Sequence, residues 1–199
     1  MPKKKQRCAW CESGNEDYVA YHDDEWGVPA TDDRTQFEFL ILEGAQAGLS
    51  WSTILNKRAG YRKNFADFDP KKVARFTDKR IAKILTDASI VRNKLKVNGA
   101  VTNARLFLEV AKEYGSFSRY IWGFVNDKPI QNAFETSADV PATSPESDAL
   151  SKDMKKRGFK FVGSTIMYAH MQATGLVNDH VASCYRYRPV KRLAASVTV

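Results

Sequence analysis

Three histidines and three cysteines occur in the 199 residues of this chain, and only His170 lies away from its two ends. The segment GLVNDHVASCYRY holds His180 and Cys184, and RCAWCESGNEDYVAYHDDEWG holds Cys8, Cys11 and His22. If a helix begins at Val177, His180 and Cys184 stand one turn apart on one face, where both can reach a single zinc ion. Cys8 and His22 would complete a Cys2His2 tetrahedron. Four protein ligands leave no open position, so such a zinc would be structural, tying the N-terminal segment to the end of the chain and contributing its binding energy to folding. The same residues are also compatible with ordinary buried or surface positions and no metal, because the Cys8–His22 interval is not that of a zinc finger. Cys8 and Cys11 further form a Cys-x-x-Cys pair, without the βαβ context in which that pair performs redox chemistry. Spacing alone leaves these readings open.

A second group of residues suits the holding of a flat, charged molecule. Trp10, Tyr18, Tyr21 and Trp26 fall close together, and Trp51 follows the small-residue run EGAQAGLSW. Aromatic planes beside a basic surface stack on unpaired bases, although each of these rings also suits a core. Glu43 follows the apolar run FEFLIL, so its carboxylate either emerges into solvent or meets a cation or donor in a pocket.

The elements that must position these groups read as helices. Thr31 or Asp32 caps a helix with Phe37, Leu40, Ile41 and Ala45 at helical spacing. Pro70 opens a short helix. Thr77 caps another, with Ile81, Ile84 and Leu85 as its buried stripe. A longer helix is expected over residues 92–114, stopped by Gly115. FSRYIWGFV reads as a short helix, Lys128 to Ser147 as a loop, and SDALSKDMKKRG and GSTIMYAHMQATG as helices closed by glycines. Only FKFVG hints at a strand, and it is too short to anchor a sheet. The expected fold class is a single all-α domain.

Bulk composition narrows the partners. Lys and Arg number 31 against 23 Asp and Glu, a net charge of +8 that favours a polyanion, nucleic acid above all, or marks no more than a basic surface. No apolar run spans a bilayer, and no apolar stretch of a secretion signal follows MPKKKQRC. The expectation is a cytoplasmic protein in a reducing compartment, without membrane contact.

Taken together, YHDDEWGVP, LEGAQAGLSW, KKRGFKFVGSTIMYAHMQATGLVNDH and the His180/Cys184 pair resemble the 3-methyladenine DNA glycosylase I family, over about Cys8 to Cys184. The resemblance implies a helix–hairpin–helix glycosylase with one structural zinc per chain, held by Cys8, His22, His180 and Cys184. It implies a base pocket carrying Glu43, Tyr21 and Trp51, with Tyr18, Trp10 and Trp26 lining or supporting it. It puts the DNA-binding hairpin at residues 86–96, TDASIVRNKLK, where Ser89 replaces the glycine common in that turn. Cys11 has no counterpart and is expected as a free thiol. The expected organisation is a disordered basic arm over 1–7, a glycosylase domain over 8–187 and a flexible tail over 188–199. The expected partner is double-stranded DNA containing alkylated bases, met by a monomer.

The implied activity is monofunctional excision of 3-methyladenine by base flipping and hydrolysis of the glycosidic bond. An N3-alkylated adenine is cationic and leaves as a neutral base, so the demand falls on extraction and holding rather than on a general acid. Trp51 can stack on the base, Glu43 can accept its hydrogen bonds and oppose its charge, and Tyr21 can orient it. Asp179, beside a metal ligand, suits capping or support of the metal site. Leu49 can wedge between base steps or fill core. Arg92, Lys94 and Lys96 are candidate phosphate contacts. The competing reading is a zinc-stabilised helical DNA-binding module without excision activity. No lysine lies in the motif segments to act as a lyase nucleophile.

Overall fold

The computed structural model describes residues 5–12 and 15–198; the part of the expected basic arm over residues 1–4 lies outside them. The described residues are mostly helical. The helices are α1 (Ala9–Glu12), α2 (Glu16–Asp24), α3 (Asp33–Gln46), α4 (Trp51–Leu55), α5 (Arg58–Asn64) and α6 (Pro70–Val73). They continue as α7 (Asp78–Ile84), α8 (Lys94–Tyr114), α9 (Phe117–Trp122), α10 (Pro145–Arg157), α11 (Ser164–Ala173) and α12 (Tyr187–Ala194).

The caps follow the expected chemistry. Asp32 accepts from the Thr35 amide to start α3, and Thr77 accepts from Arg80 to start α7. Pro70 stands in the first turn of α6, where its missing N–H is not needed. Gly115, at φ 88°, ends α8. That helix begins at Lys94 rather than 92, because Asn93 takes the cap and accepts from Lys96.

Helix α3 is the axis of the fold. Every residue from Gln36 to Ala45 is buried, well beyond the one-sided stripe expected from its spacing, because α8, α9 and α11 all pack against it. A helix covered on all sides must satisfy its polar side chains internally. Gln36 does so by accepting at Oε1 from His170 Nε2 at 2.7 Å and donating from its amide nitrogen to the Ala30 carbonyl. Burial lowers His170 to about 3, which keeps this histidine neutral in the core.

Three expectations differ in the structure. First, residues 177–186 are not a helix: Val177–Asn178 form a strand (β2) that pairs in parallel with β1 (Ile130–Gln131), and turns follow up to α12. The expected loop from Lys128 carries β1, a pairing of residues 47 positions apart that no local pattern announces. FKFVG is a turn, with Phe161 at φ 57°. Second, residues 188–194 of the expected tail lie in α12, and Val190 is buried there. Third, residues 5–7 are bound to the domain: the Gln6 carbonyl accepts from the Tyr185 amide, and Arg7 forms a forked pair with Asp23. Among the described residues no helix is long and apolar enough to cross a membrane.

Candidate functional site

The two ends of the chain meet in a buried cluster. Cys8, His22, His180 and Cys184 are all buried, and their ligand atoms lie within 4.8 Å of one another. Cys184 Sγ is 3.5 Å from both His22 Nε2 and His180 Nδ1, and Cys8 Sγ is 3.7 Å from His180 Nδ1. Ordinary zinc–sulfur and zinc–nitrogen bond lengths in a tetrahedron set sulfur–nitrogen edges of roughly 3.6 Å. The donor set therefore fits a four-coordinate zinc, although His180 and Cys184 are brought together by a turn and not by a shared helical face.

The free ring nitrogens are fixed as metal-binding histidines require. His22 Nδ1 meets Asp23 Oδ1 at 2.8 Å, and His180 Nε2 meets the Trp26 carbonyl at 3.0 Å. Burial opposes ionisation of Asp23, but Arg7 and His22 outweigh it and hold that carboxyl well below the usual range. The Cys8 thiol against Cys184, assisted by both histidines, pulls Cys184 down, so one thiolate is favoured before any metal arrives. Cys11 stays outside the cluster. Its Sγ donates to the Cys8 carbonyl at 3.1 Å, and burial pushes the thiol up to about 11.

Beside this cluster opens a cavity of about 360 Å³. All six expected pocket residues line it: Trp10, Tyr18, Tyr21 and Trp26 from the N-terminal segment, Glu43 from α3 and Trp51 from α4. The aromatic wall is one interlocked unit, with ring centroids at 5.1 Å for Trp10–Tyr18, 5.0 Å for Trp10–Trp26 and 5.4 Å for Tyr21–Trp51. Trp26 in turn stands edge-on to His180 at 4.7 Å. The Cys/His cluster thus backs the wall of the cavity.

Glu43 is 4% exposed and makes no hydrogen bond or ion pair to the described residues. Burial raises its carboxyl to about 8, because nothing in the protein repays the desolvation of its charge. Tyr21, buried and facing Glu43, is pushed well above its usual value and keeps its proton. The Trp51 indole N–H is buried without a partner. Between Glu43 and Trp51 the chain turns through Gly48, at φ 76°, a conformation that only glycine adopts without strain. Leu49 follows, 41% exposed. The site thus presents stacking planes and unanswered polar groups, an arrangement suited to a flat purine with donors on its edge.

Part of the wall was not foreseen. Gln46, Ser137, Val140, Pro141, Ala169, Gln172 and Asp179 also line the cavity. Asp179 does not touch the histidines. Its carboxylate accepts from Asn132 Nδ2 at 2.7 Å, the Tyr168 hydroxyl at 2.7 Å and Gln172 Nε2 at 2.8 Å. It is therefore a tie between the 130s loop and α11, not a prop for the Cys/His cluster. Among the lining residues there is no lysine.

Residues 85–93 form the turn joining α7 to α8. Ser89, where glycine was expected, needs no positive φ. The Asp87 carboxylate accepts from the Ser89 amide at 2.8 Å and from Asn64 at 2.9 Å. The glycine that matters is Gly60 on α5, where any Cβ would collide with the Ser89 carbonyl. Arg92 and Lys94 are exposed. Lys96 is not: its ammonium donates to the Ala45 and Ala47 carbonyls.

A family model described as methyladenine glycosylase matches residues 10–187. DNA-3-methyladenine glycosylase 1 of Escherichia coli K12 is 48% identical over 182 residues, covering 92% of this chain and 97% of that protein. The 3-methyladenine DNA glycosylase I of Staphylococcus aureus, solved to explain 3-methyladenine recognition, superposes with a TM-score of 0.87 at 37% identity, covering 90% of this chain and 95% of its own. A tyrosine-to-phenylalanine variant of such an enzyme, solved in complex with 3-methyladenine, superposes equally well, with a TM-score of 0.87 at 37% identity over 90% of this chain and 96% of its own.

Proposed function

The chain belongs to the methyladenine glycosylase family, and from that premise we propose that it excises 3-methyladenine from alkylated DNA, with Glu43, Tyr21 and Trp51 holding the extruded base. The observation that carries the residue assignment is Glu43: a buried carboxyl without a protein partner, on the wall of an aromatic cavity. Such a group is stable as a neutral acid in the free protein and becomes favourable as a carboxylate only beside a cation. An N3-alkylated adenine still attached to its sugar is that cation. Damage itself thus switches on the attraction, and an undamaged adenine leaves Glu43 uncompensated.

The chemistry then needs little from the protein. The glycosidic C–N bond breaks with its electron pair moving into the purine, which departs neutral. Water adds to the sugar carbon and loses its proton to solvent, leaving an abasic site. Trp51 stacks on the base, worth ~1–3 kcal/mol. Tyr21, protonated throughout, donates to it. Tyr18, Trp10 and Trp26 fix the wall. The missing lysine supports a monofunctional hydrolysis over a lyase reaction.

Zinc, one per chain, is the metal that the Cys8, His22, His180 and Cys184 donors suit, and with four protein ligands it would supply only a cross-link, binding the aromatic wall to the end of the chain. The α7–turn–α8 unit is read as the hairpin that grips double-stranded DNA, with Arg92 and Lys94 as phosphate contacts and Leu49 as the wedge that fills the vacated stack. A monomer spanning residues 8–187 contains all of these parts.

The test is base release from methylated DNA by wild type and Glu43→Gln, with the products separated by chromatography. Free 3-methyladenine from wild type, sharply reduced in the variant, is expected. Release of no base by a protein that still binds DNA would return the chain to a DNA-binding module without excision.

A further inference from the structure

Lys96 is the one cation of the hairpin segment that the structure turns inward. It occupies the first turn of α8, a turn that holds no acidic residue. A cation there opposes the dipole of its own helix. Its ammonium instead serves the opposite pole of another helix: it donates to the Ala45 carbonyl at 2.8 Å and to the Ala47 carbonyl at 2.6 Å, where α3 ends. Carbonyls at a helix C-terminus lack intrahelical partners, and a buried end needs such a donor. Among the described residues no side chain of α3 or of the turn after it donates to either oxygen.

The position of this clamp matters more than its existence. Ala45 lies two residues after Glu43, and Ala47 lies four residues before Trp51. The clamped carbonyls sit within the short connection between the carboxyl and the stacking ring, next to Gly48, whose left-handed conformation turns the chain there. Behind the lysine, the α3/α8 seam is filled by Phe161. A Cβ on Gly99 would come within 3.0 Å of its ring, and one on Gly44 within 3.4 Å of its Cβ. The α3/α8 seam is therefore closely packed up to Gly44, and Lys96 ties down the end of α3 beyond it.

Building on the pocket assignment above, we propose that Lys96 is a positioning residue for base excision: from the helix that follows the DNA-gripping turn, it fixes the spacing of Glu43 and Trp51, and it makes no phosphate contact. Its partial burial, which lowers the ammonium below its usual value, is consistent with a group committed to carbonyls rather than to solvent.

The inference is tested with the full chain carrying Lys96→Met, Lys96→Gln or Lys96→Arg. Three quantities are read: the single-turnover excision rate at saturating enzyme, the affinity for free 3-methyladenine, and the slope of log affinity for undamaged duplex against log salt. A positioning role predicts at least a tenfold loss in both the rate and the free-base affinity for Lys96→Met, with the salt slope unchanged. Lys96→Arg, which retains N–H donors on a long stem, should recover most of the rate. A phosphate contact predicts the reverse for Lys96→Met: free-base affinity intact and a salt slope shallower by about one. That result overturns the inference, as does a variant equal to wild type in all three quantities. If Lys96→Met does not fold, as judged by melting, Lys96→Gln carries the same comparison, since its amide keeps a donor too short to span both carbonyls. A wild type that neither releases nor binds 3-methyladenine refutes the proposed function itself, whereas a normal wild type with unaltered variants refutes only the role of Lys96.

Discussion

Replacing Glu43 by Gln keeps the shape of the side chain and removes its ionisation. Burial raises the carboxyl to about 8, so at pH 7 roughly one free molecule in ten carries the charge, and ionising the rest costs about 1.4 kcal/mol. A cation arriving within about 4–6 Å lowers a carboxyl by ~1–3 units, or ~1.4–4 kcal/mol. The net contribution of Glu43 at pH 7 is then at most ~3 kcal/mol, up to about a hundredfold in affinity, and it grows roughly tenfold more by pH 8–9 as the ionisation cost vanishes. Because the cationic base prefers the carboxylate, binding expels a proton, and wild-type affinity climbs with pH to about 8 and then levels. Glu43→Gln lacks the climb. Single-turnover excision from a duplex with one 3-methyladenine, followed from pH 6 to 9, measures the profile. Calorimetry in buffers of differing ionisation enthalpy counts the proton. Wild-type and variant profiles that run parallel across this range would refute the reasoning.

Stability carries the opposite sign. The folded carboxyl sits above its unfolded value of 4.5, so its contribution is complete below about pH 4.5 and is lost as pH rises to about 8, at ~1.4 kcal/mol per unit; Glu43→Gln should therefore gain in melting temperature over wild type between pH 6 and pH 9. Cys184→Ala is expected to abolish stoichiometric zinc by mass spectrometry, and unchanged zinc would remove Cys184 from the ligand set. Chelation should lower folding stability, because a metal that binds the folded protein and not the unfolded chain contributes its binding free energy to folding. Denaturant unfolding with and without chelator measures it. Asp23→Asn, which weakens the hold on His22, should lower zinc affinity about 10–100-fold in a chelator competition. Gly60→Ala forces the Ser89 carbonyl aside, so duplex binding should fall while free 3-methyladenine binding persists.

The sequence carried the parts whose signal is chemical rarity or local capping. Four metal-competent residues stood out because so few exist, and Asp32, Thr77 and Gly115 marked helix ends by rules that operate within one turn. The six pocket residues came with a family resemblance, and the cavity gathers all of them. What stayed hidden depends on distant partners. The β1–β2 pairing, the turn that replaces a helix at 179–186, and the tie from Asp179 to Asn132, Tyr168 and Gln172 join segments that have no mutual periodicity. For Lys96 the sequence offers a phosphate contact or a solvated face, the two ordinary roles of a lysine beside a hairpin. Its acceptors are backbone carbonyls about fifty residues earlier, which no sequence pattern marks.

The clamp of the two chain ends also sets an order of events during synthesis. Cys8 and His22 leave the ribosome first and must wait for nearly the whole chain before His180 and Cys184 arrive. Until then the N-terminal aromatic wall lacks the His180 ring against which Trp26 rests at 4.7 Å. A nascent or truncated chain ending before residue 180 therefore has the carboxyl, the stacking ring and the hairpin, but no closed metal site behind its pocket. A zinc held by these four donors would then be captured only once Cys184 has been made, so zinc content would report synthesis past that residue.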